Sequence, residues 1–298
     1  MANPTIKHFI FIRIFPEQGA HYPYNVLDVD FLAGQLELAK NNALRSLENQ
    51  TCKNAEIIFV MHDKHFLDKK YEFLFSTLKE STTFSCRFIK NLPPYKKDVS
   101  MAEVYAESEW GRLAKQAAEE YDFVIHSRLD LDDFIRKDVI EDTQNKVNEC
   151  ENILAYGYCQ GYKYVEGDLY EMCYGYKQNS HTSLMESIIL NSEFARSMPF
   201  ISIMGNGLGH WRMKEKLTRF LESNGIKFSE NMFQQNISYN AYVYFQCRFS
   251  WWHHIENKGN TSADFLIPKE ATLVTEGITK KQLEEEFGFT GYELKSIE

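Results

Sequence analysis

The stretch of sequence that decides the fold is residues 121–135, YDFVIHSRLDLDDFI. It begins with an apolar run at 123–125, which is short enough to form one buried strand. An arginine and three carboxylates follow directly: Arg128, Asp130, Asp132 and Asp133. Because ligands of open α/β sheets bind at the carboxyl ends of the strands, an acidic end to a buried strand predicts a ligand site.

Asp130 and Asp132 lie two positions apart, so on an extended segment their side chains point to the same side. Hard cations such as Mg²⁺ and Mn²⁺ bind carboxylate oxygens and often bridge substrate phosphates. The pattern therefore predicts a metal–diphosphate site at the end of this strand. The alternative is an acidic turn that leads into a helix, with Asp133 as the N-cap of that helix.

Composition limits the class of protein. The chain has 298 residues, of which 44% are hydrophobic and 14% aromatic, so it can bury a sizeable core. Its 33 basic and 42 acidic residues give a net charge of -9, which argues against a general nucleic-acid-binding protein. An anionic substrate stays compatible with this charge, because a metal ion and a few arginines can reverse its sign locally.

The cysteines and the N-terminus point to the cytoplasm. The six cysteines form no C-x-x-C pair, which favours free thiols in a reducing compartment over a zinc or thioredoxin-type site. The first residues lack the basic region and apolar core of a signal peptide, and no apolar run approaches the ~18 residues of a membrane span. We expect a cytoplasmic protein without a transmembrane segment, and peripheral membrane contact stays open.

Apolar runs alternate with helical patterns in the first half of the chain. Buried strands are predicted at 8–15, 56–61 and 84–89 and at the run that begins at 123, and helices at 32–47, 66–78 and 100–120. The sequence SMAE at 100–103 is a capping-box signature for the last of these helices. This order predicts an α/β fold, Rossmann-like, with a mainly parallel sheet flanked by helices, in one domain.

The second half of the chain has a different composition and pattern. After a helix at about 137–150, residues 153–176 hold seven tyrosines with glycines between them, which predicts a hairpin pair or meander with turns at Gln160-Gly161 and Gly167-Asp168. We favour half-buried tyrosines of an amphipathic sheet over an aromatic floor for a sugar ring. Further elements are predicted as a strand at 187–190, a short helix from Ser192, a loop at 204–210, a helix at 211–222, a strand at 241–247 and a helix from a Thr279 cap to Phe287.

Three segments together resemble glycosyltransferases of the GT-A fold. They are FIFIR at 9–13, SLENQT at 46–51 ahead of a strand that ends in MHD at 61–63, and SRLDLDD at 127–133. The R-L-D-x-D-D string is most similar to that of the bacterial rhamnosyltransferase family, in which Leu131 is often replaced by Asn. A histidine and a G-N pair near the end of that family's chains correspond to His253, His254 and Gly259-Asn260.

This resemblance implies transfer of a sugar from a UDP-, dTDP- or GDP-linked donor to a glycan or lipid-linked glycan, as in bacterial surface polysaccharide synthesis. Residues 1–135 would form the nucleotide-sugar-binding half, and residues 136–298 the smaller acceptor-side half. Asp130 and Asp132 would hold Mn²⁺ or Mg²⁺ across the donor diphosphate, Asp132 directly. Arg13 and Asp63, at strand ends, would meet the nucleotide, and Arg128 would reach the phosphates or form a salt bridge with Asp130.

The remaining roles implied by the resemblance fall in the second half of the chain. His253 or His254 would complete the metal shell, in preference to His210, because imidazole is a reasonable ligand for Mn²⁺. An inverting enzyme needs a general base that accepts the proton of the acceptor hydroxyl, and the candidates are Asp133, His210 and Glu215. A retaining enzyme would need no base at that place.

Two other functions would use the same residues. A metal-dependent phosphohydrolase or nuclease would activate water with the carboxylates and two metal ions, helped by Asp63 and by Glu166 or Asp168. A non-catalytic glycan-binding module would use the tyrosine-rich segment and Trp251-Trp252 as its platform, and the acidic string would then be a structural turn.

Overall fold

The computed structural model describes residues 3–14, 27–91, 108–157, 160–165, 167–173, 186–197, 222, 242–246, 272–295 and 297. Two sheets and the helices packed against them make up most of this part of the chain. The strands are β1 (Ile6–Ile14), β2 (Glu56–Met61), β3 (Ser85–Lys90), β4 (Phe123–Leu129), β5 (Phe134–Ile135), β6 (Ile153–Tyr156), β7 (Gln160–Val165), β8 (Asp168–Cys173), β9 (Glu186–Asn191), β10 (Tyr242–Gln246) and β11 (Thr272–Leu273). The helices are α1 (Val29–Ala39), α2 (Arg45–Glu48), α3 (Glu72–Glu80), α4 (Glu109–Glu120), α5 (Val139–Asn145), α6 (Ser192–Ser197) and α7 (Lys280–Phe287).

Six strands form the larger sheet, in the order β3-β2-β1-β4-β9-β6. The first four pair in parallel, and β9 runs antiparallel to both β4 and β6. Parallel neighbours need helical crossovers, which cover both faces of a sheet and explain why β1, β2 and β4 are buried along most of their length, whereas the edge strand β3 is partly exposed. The mainly parallel α/β sheet predicted from the sequence is therefore confirmed.

Both faces of the larger sheet are buried. Since alternate side chains of a strand point to opposite faces, Ile10 and Ile12 pack with the helices α1 to α3 and α5, whereas Phe9 and Phe11 pack towards α4 and α6. Phe11 stacks on Trp110 of α4 with ring centroids 4.7 Å apart. Helices thus pack on both faces of the sheet, so the turns that follow its strands extend from a rigid element.

The smaller sheet has the order β11-β8-β7-β10-β5. Its β7–β8 hairpin turns at Gly167, whose φ of 99° lies in the left-handed region that glycine tolerates best. Its core is largely aromatic and includes Phe134, Tyr164 and Phe289, against which Phe287 of α7 packs. A second, smaller sheet with its own core thus accompanies the larger one, although the chain after residue 135 also supplies β6 and β9 of the larger sheet.

The chain passes from one sheet to the other at the acidic string. β4 ends at Leu129 in the larger sheet, and β5 begins at Phe134 in the smaller one. We call the four connecting residues, 130–133, the acidic turn. Because it joins two packed bodies, its position is set from both of its ends.

Three local predictions were wrong. Asp133 is not a helix N-cap, because the strand β5 follows it and the next helix begins only at Val139. Gln160-Gly161 lies inside β7 rather than at a turn, and β6 belongs to the larger sheet rather than to a meander with β7. The described part of the helix that ends at Glu120 begins after the N-cap Ser108, and the predicted start at residue 100 with its SMAE capping box lies outside the described residues.

The other helices agree with the sequence pattern, with changes in winding. The predicted helix at 32–47 begins after Asp28 and contains a π-helical turn, Lys40–Leu44, between α1 and α2. The predicted helix at 66–78 starts as two 3₁₀ turns before α3. The capping box of α7 between Thr279 and Gln282 is confirmed. The described part of the chain contains no helix that is both long and apolar enough to cross a membrane.

Candidate functional site

The acidic turn lies at the carboxyl edge of the larger sheet, next to the ends of its parallel strands. Arg13 is near the end of β1, the direct neighbour of β4, and Asp63 lies in the 3₁₀ turn that follows β2. Adjacent strands are ~4.8 Å apart, so these positions line one edge within a few strand spacings of the turn. Ligands of such sheets bind at this edge.

Asp130 is held by the arginine that precedes it. Arg128 Nε and Nη2 donate to Asp130 Oδ1 at 3.1 and 3.0 Å, and Nη2 also donates to Oδ2 at 3.2 Å. The Arg128 side chain is 8% exposed and that of Asp130 31%, so the guanidinium lies beneath a carboxylate that faces outward. The salt bridge expected as one alternative for Arg128 is present, and it fixes the orientation of Asp130.

The surroundings of Asp132 disfavour its ionised form. Burial raises the pKa of Asp132 to about 7, the Asp130 carboxylate adds to the shift, and Arg128 offsets only part of it. Two carboxylates that repel each other are a fitting donor set for a divalent cation. Mg²⁺ is commonly held by one or two carboxylates and takes its other ligands from phosphates and water.

Asp133 differs from its two acidic neighbours because it is completely buried, with an exposed fraction of 0%. Its backbone N–H donates to the Asp130 carbonyl at 3.3 Å, which closes the turn. In this conformation the carboxylate of Asp133 faces the protein interior.

The turn is held from outside by residues 42–51, which comprise the end of a helical segment and the turn that follows it. Asn42 Nδ2 donates to the main-chain carbonyl of Asp132 at 2.8 Å. Just after β5, Gln50 Nε2 donates to the carbonyl of Arg136 at 2.8 Å, and Thr51 N donates to the carbonyl of Lys137 at 2.7 Å. The SLENQT segment thus holds the chain that leaves the acidic turn, a contact that the sequence alone did not show.

A buried polar chain runs under the same strand and was also missed by sequence reasoning. Ser127 Oγ lies 2.7 Å from His8 Nε2 and 2.6 Å from Ser187 Oγ. Burial lowers the pKa of His8 to about 3, with His126 adding to the shift, and lowers that of His126 to about 4. Both histidines are therefore neutral at physiological pH.

Three of the described tyrosines of the second half belong to the core, and Tyr170 and Tyr292 are half-buried. Tyr162 and Tyr164 are buried in the smaller sheet, and Tyr156 is buried in the larger one, where its hydroxyl donates to Asp142. This agrees with the amphipathic-sheet interpretation of these positions. Asp168 lies in the β7–β8 hairpin of the smaller sheet.

Several predicted site residues lie outside the described residues: His210, Glu215, His253, His254, Trp251, Trp252 and Glu166. Within the described ranges, no group of three or more His, Cys, Asp or Glu side chains is arranged to hold a metal ion. Asp130 and Asp132 are the predicted metal ligands that the structure brings together on one turn.

No protein-family model matches the sequence, and the search of curated proteins gives no match. Solved structures with a similar course of the chain include a protein from Desulfovibrio desulfuricans G20 described as a nucleotide-diphospho-sugar transferase. It is 13% identical, with 79% of this chain and 81% of that chain covered and a TM-score of 0.38. Mouse xyloside xylosyltransferase 1 in its apo form is also 13% identical, with 78% and 87% covered and a TM-score of 0.35.

A third similar structure is Staphylococcus aureus TarS residues 1–349 in complex with UDP-GlcNAc. It is 13% identical, with 84% of this chain and 62% of that chain covered and a TM-score of 0.33. At these identities and TM-scores, a function for this chain has to rest on its own residues.

Proposed function

We propose that the protein is a metal-dependent glycosyltransferase that moves a sugar from a nucleotide-diphosphate donor to a glycan or lipid-linked glycan. One observation carries the proposal: Asp130 and Asp132 lie together on a supported turn at the carboxyl end of β4, where burial and the charge of Asp130 raise the pKa of Asp132 and a bound cation would offset both effects. The resemblance of the R-L-D-x-D-D string to the bacterial rhamnosyltransferases supports a rhamnosyl or hexosyl donor and a role in surface polysaccharide synthesis.

The residues of the turn have separate roles in this proposal. Asp132 binds Mn²⁺ or Mg²⁺ directly, and Asp130, oriented by Arg128, binds beside it or through water. His253 or His254 would supply a further ligand. When bound, the cation acts as a Lewis acid that stabilises the negative charge of the departing diphosphate.

Nucleotide binding is assigned to the neighbouring strand ends. Arg13 lies near the end of β1 beside the turn, where a cationic side chain favours an anionic nucleotide. Asp63 is exposed in the turn after β2 and is free to accept hydrogen bonds from a ribose or base. The donor is UDP-, dTDP- or GDP-linked.

The general base of an inverting reaction stays among Asp133, His210 and Glu215. A base has to come within hydrogen-bonding distance of the acceptor hydroxyl, directly or through one water. The burial of Asp133 supports the two residues of the acceptor-side half, His210 and Glu215, ahead of it. His210 or Glu215 would then face the sugar from the opposite side of the diphosphate.

Binding of Mn²⁺ together with a nucleotide tests the proposal. Purified protein is titrated with Mn²⁺ alone and with UDP, dTDP or GDP, and free Mn²⁺ is followed by electron paramagnetic resonance. We expect at least one nucleotide to increase Mn²⁺ binding. Asp132→Ala should weaken that binding by more than the ~10–100-fold that outer-shell substitutions cost.

Asp168→Ala is the control, because Asp168 is a carboxylate of the β7–β8 hairpin and belongs to the phosphohydrolase alternative. It should leave Mn²⁺ binding unchanged. Release of nucleoside diphosphate from a panel of nucleotide sugars then identifies the donor. Absence of Mn²⁺ binding with every nucleotide, or phosphate release from simple esters that requires Asp168, would overturn the proposal.

A further inference from the structure

Asn42 connects the acidic turn to a segment that is far away in the sequence. It is completely buried in the π-helical turn, with an exposed fraction of 0%. Its Nδ2 donates to the Asp132 carbonyl at 2.8 Å, and its Oδ1 accepts a hydrogen bond from the hydroxyl of Tyr292. One side-chain amide thus joins the acidic turn to the C-terminal part of the chain.

The Asp132 carbonyl determines which way this amide points, and the Tyr292 hydroxyl anchors the amide in that orientation. A carbonyl oxygen can only accept a hydrogen bond, so the Asp132 carbonyl requires the NH₂ group of Asn42. With Tyr292 as donor on the other side, only one orientation of the amide satisfies both partners. Removing the hydroxyl leaves the Asn42 oxygen without this donor, so the amide is held less firmly and the Asp132 peptide group gains freedom to move.

The ring of Tyr292 touches the same stretch of chain at a second point. It meets Phe134 edge-on, with centroids 6.2 Å apart, and packs on Phe289 and Tyr164 at 5.1 and 5.7 Å. Phe134 follows the acidic turn directly as the first residue of β5. The C-terminal segment therefore reaches one end of the turn through Phe134 and the Asp132 carbonyl through Asn42.

The two carboxylates of the turn need such support. Asp130 and Asp132 repel each other when both are ionised, so the turn relaxes by separating them unless its backbone is held. Arg128 holds the Asp130 side, and Asn42 holds the backbone of Asp132. A π-helical turn inside a helix is unusual and is often found at functional sites, which agrees with a special placement of Asn42.

We infer that Asn42 and Tyr292 are positioning residues that set the cation affinity of Asp132, so that the C-terminal segment forms part of the metal site. This inference rests on the proposed function only where it assigns the cation to Asp132. The restraint on the acidic turn itself follows from the contacts and can be tested without metal.

Two tyrosines give a matched comparison. Tyr292→Phe removes the hydroxyl that binds Asn42, whereas Tyr164→Phe removes a hydroxyl of the same aromatic cluster that donates to the Glu293 carbonyl at 2.9 Å. Both variants keep the ring and lose one hydrogen bond to or from the C-terminal segment. They should therefore lose similar thermal stability, while only Tyr292→Phe affects the acidic turn.

Amide hydrogen exchange of metal-free protein, read on peptides that cover 129–135, measures the restraint on the turn. We expect faster exchange there in Tyr292→Phe than in wild type or Tyr164→Phe. Electron paramagnetic resonance of Mn²⁺ with UDP, and with dTDP and GDP in parallel, measures affinity. We expect binding to weaken about 3–10-fold in Tyr292→Phe, the size of one lost hydrogen bond, and to stay unchanged in Tyr164→Phe.

Asn42→Leu is a second variant of similar size that removes both hydrogen bonds, and its effect on exchange and affinity should exceed that of Tyr292→Phe. Equal exchange and equal Mn²⁺ affinity in the two tyrosine variants would overturn the inference. If wild type binds no Mn²⁺ with any nucleotide, the proposed function fails instead. Exchange at the turn then decides separately whether Tyr292 restrains it.

Discussion

The larger and the smaller sheet are held together in different ways. In the larger sheet, β1, β2 and β3 follow one another along the chain; β1 and β2 are apolar runs buried on both faces, whereas the edge strand β3 is partly exposed. In the smaller sheet, partners come from distant parts of the chain: Val243 pairs with Tyr162, and Thr272 pairs with Glu171. Its core is a set of aromatic rings contributed by β5, β7 and the C-terminal segment.

The acidic turn joins these two sheets, and each sheet fixes one end of the turn in a different way. The larger sheet supplies a rigid base at Leu129, independent of the C-terminal segment. The smaller sheet and the residues around Tyr292 fix the other end of the turn through Phe134 and Asn42. Substitutions in the larger sheet should therefore lower stability alone, whereas those in the smaller sheet should also disturb the site.

Two buried phenylalanines make this comparison directly, and they carry the largest expected effect. Phe59, in the centre of β2, and Phe134, at the start of β5, both have an exposed fraction of 0%. Replacement of either by alanine should lower the free energy of unfolding by about 3–5 kcal/mol, because each leaves a cavity. Only Phe134→Ala should also weaken Mn²⁺ binding, since its ring contacts Tyr292.

Urea denaturation gives the stabilities, and Mn²⁺ titration below the unfolding transition gives the affinities. The claim that only the smaller sheet affects the acidic turn is refuted if Phe59→Ala weakens Mn²⁺ binding as much as Phe134→Ala does. It is also refuted if both folded variants keep the affinity of wild type.

The larger sheet was predictable from the sequence, for a physical reason. A strand buried on both faces has to be apolar throughout, so its length shows in the sequence, and β2 matches its predicted bounds at 56–61. The smaller sheet was less predictable, because pairings such as that of β10 with β5 depend on contacts between distant segments. The π-helical turn also left no signal, since the local pattern at 40–44 is compatible with an ordinary α-helix.

The site shows the same contrast. Asp130 and Asp132 were found because their spacing and the strand before them are local features. Asn42 and Tyr292 could not be found, because their roles come from hydrogen bonds that span the whole chain. The SLENQT motif was noticed as a resemblance, but its contacts with the carbonyls of Arg136 and Lys137 appear only in three dimensions.

A buried histidine of the larger sheet makes the stability of the protein depend on pH. His126 lies among Phe9 and Phe11, and neither of its ring nitrogens has a hydrogen-bond partner in the described part of the chain. Its pKa falls from 6.5 in the unfolded chain to about 4 in the folded protein. The unfolded state therefore binds the extra proton between these values, and stability falls as the pH drops from 6.5 towards 4.

His126→Leu removes this proton uptake while filling a similar volume. Between pH 7 and pH 5, wild type should lose about 2 kcal/mol more of its free energy of unfolding than the variant does. Chemical denaturation at the two pH values measures the difference. Parallel losses in the two proteins would show that His126 is not kept neutral by burial.

The smallest expected effect has the opposite sign and concerns the acidic turn. Asp132→Asn keeps the shape of the side chain and removes one of two carboxylates that repel each other. In EDTA at pH 8 the variant should gain about 1 kcal/mol in free energy of unfolding, because function rather than stability accounts for a second charge at this position. Asp138→Asn is the control, because the Asp138 carboxylate accepts a hydrogen bond from Arg136 Nε at 2.6 Å. This variant should instead lose up to about 1 kcal/mol in free energy of unfolding.

Adding Mn²⁺ and the nucleotide should then invert the order of the two melting temperatures. A ligand that binds only the folded state stabilises it in proportion to RT ln(1 + [L]/Kd), which is about 2.7 kcal/mol at a hundredfold excess over Kd. Wild type receives this gain and Asp132→Asn does not, so the curves of stability against Mn²⁺ concentration cross. Curves that never cross, or a variant that is less stable than wild type already in EDTA, would mean that Asp132 supports the fold rather than a cation.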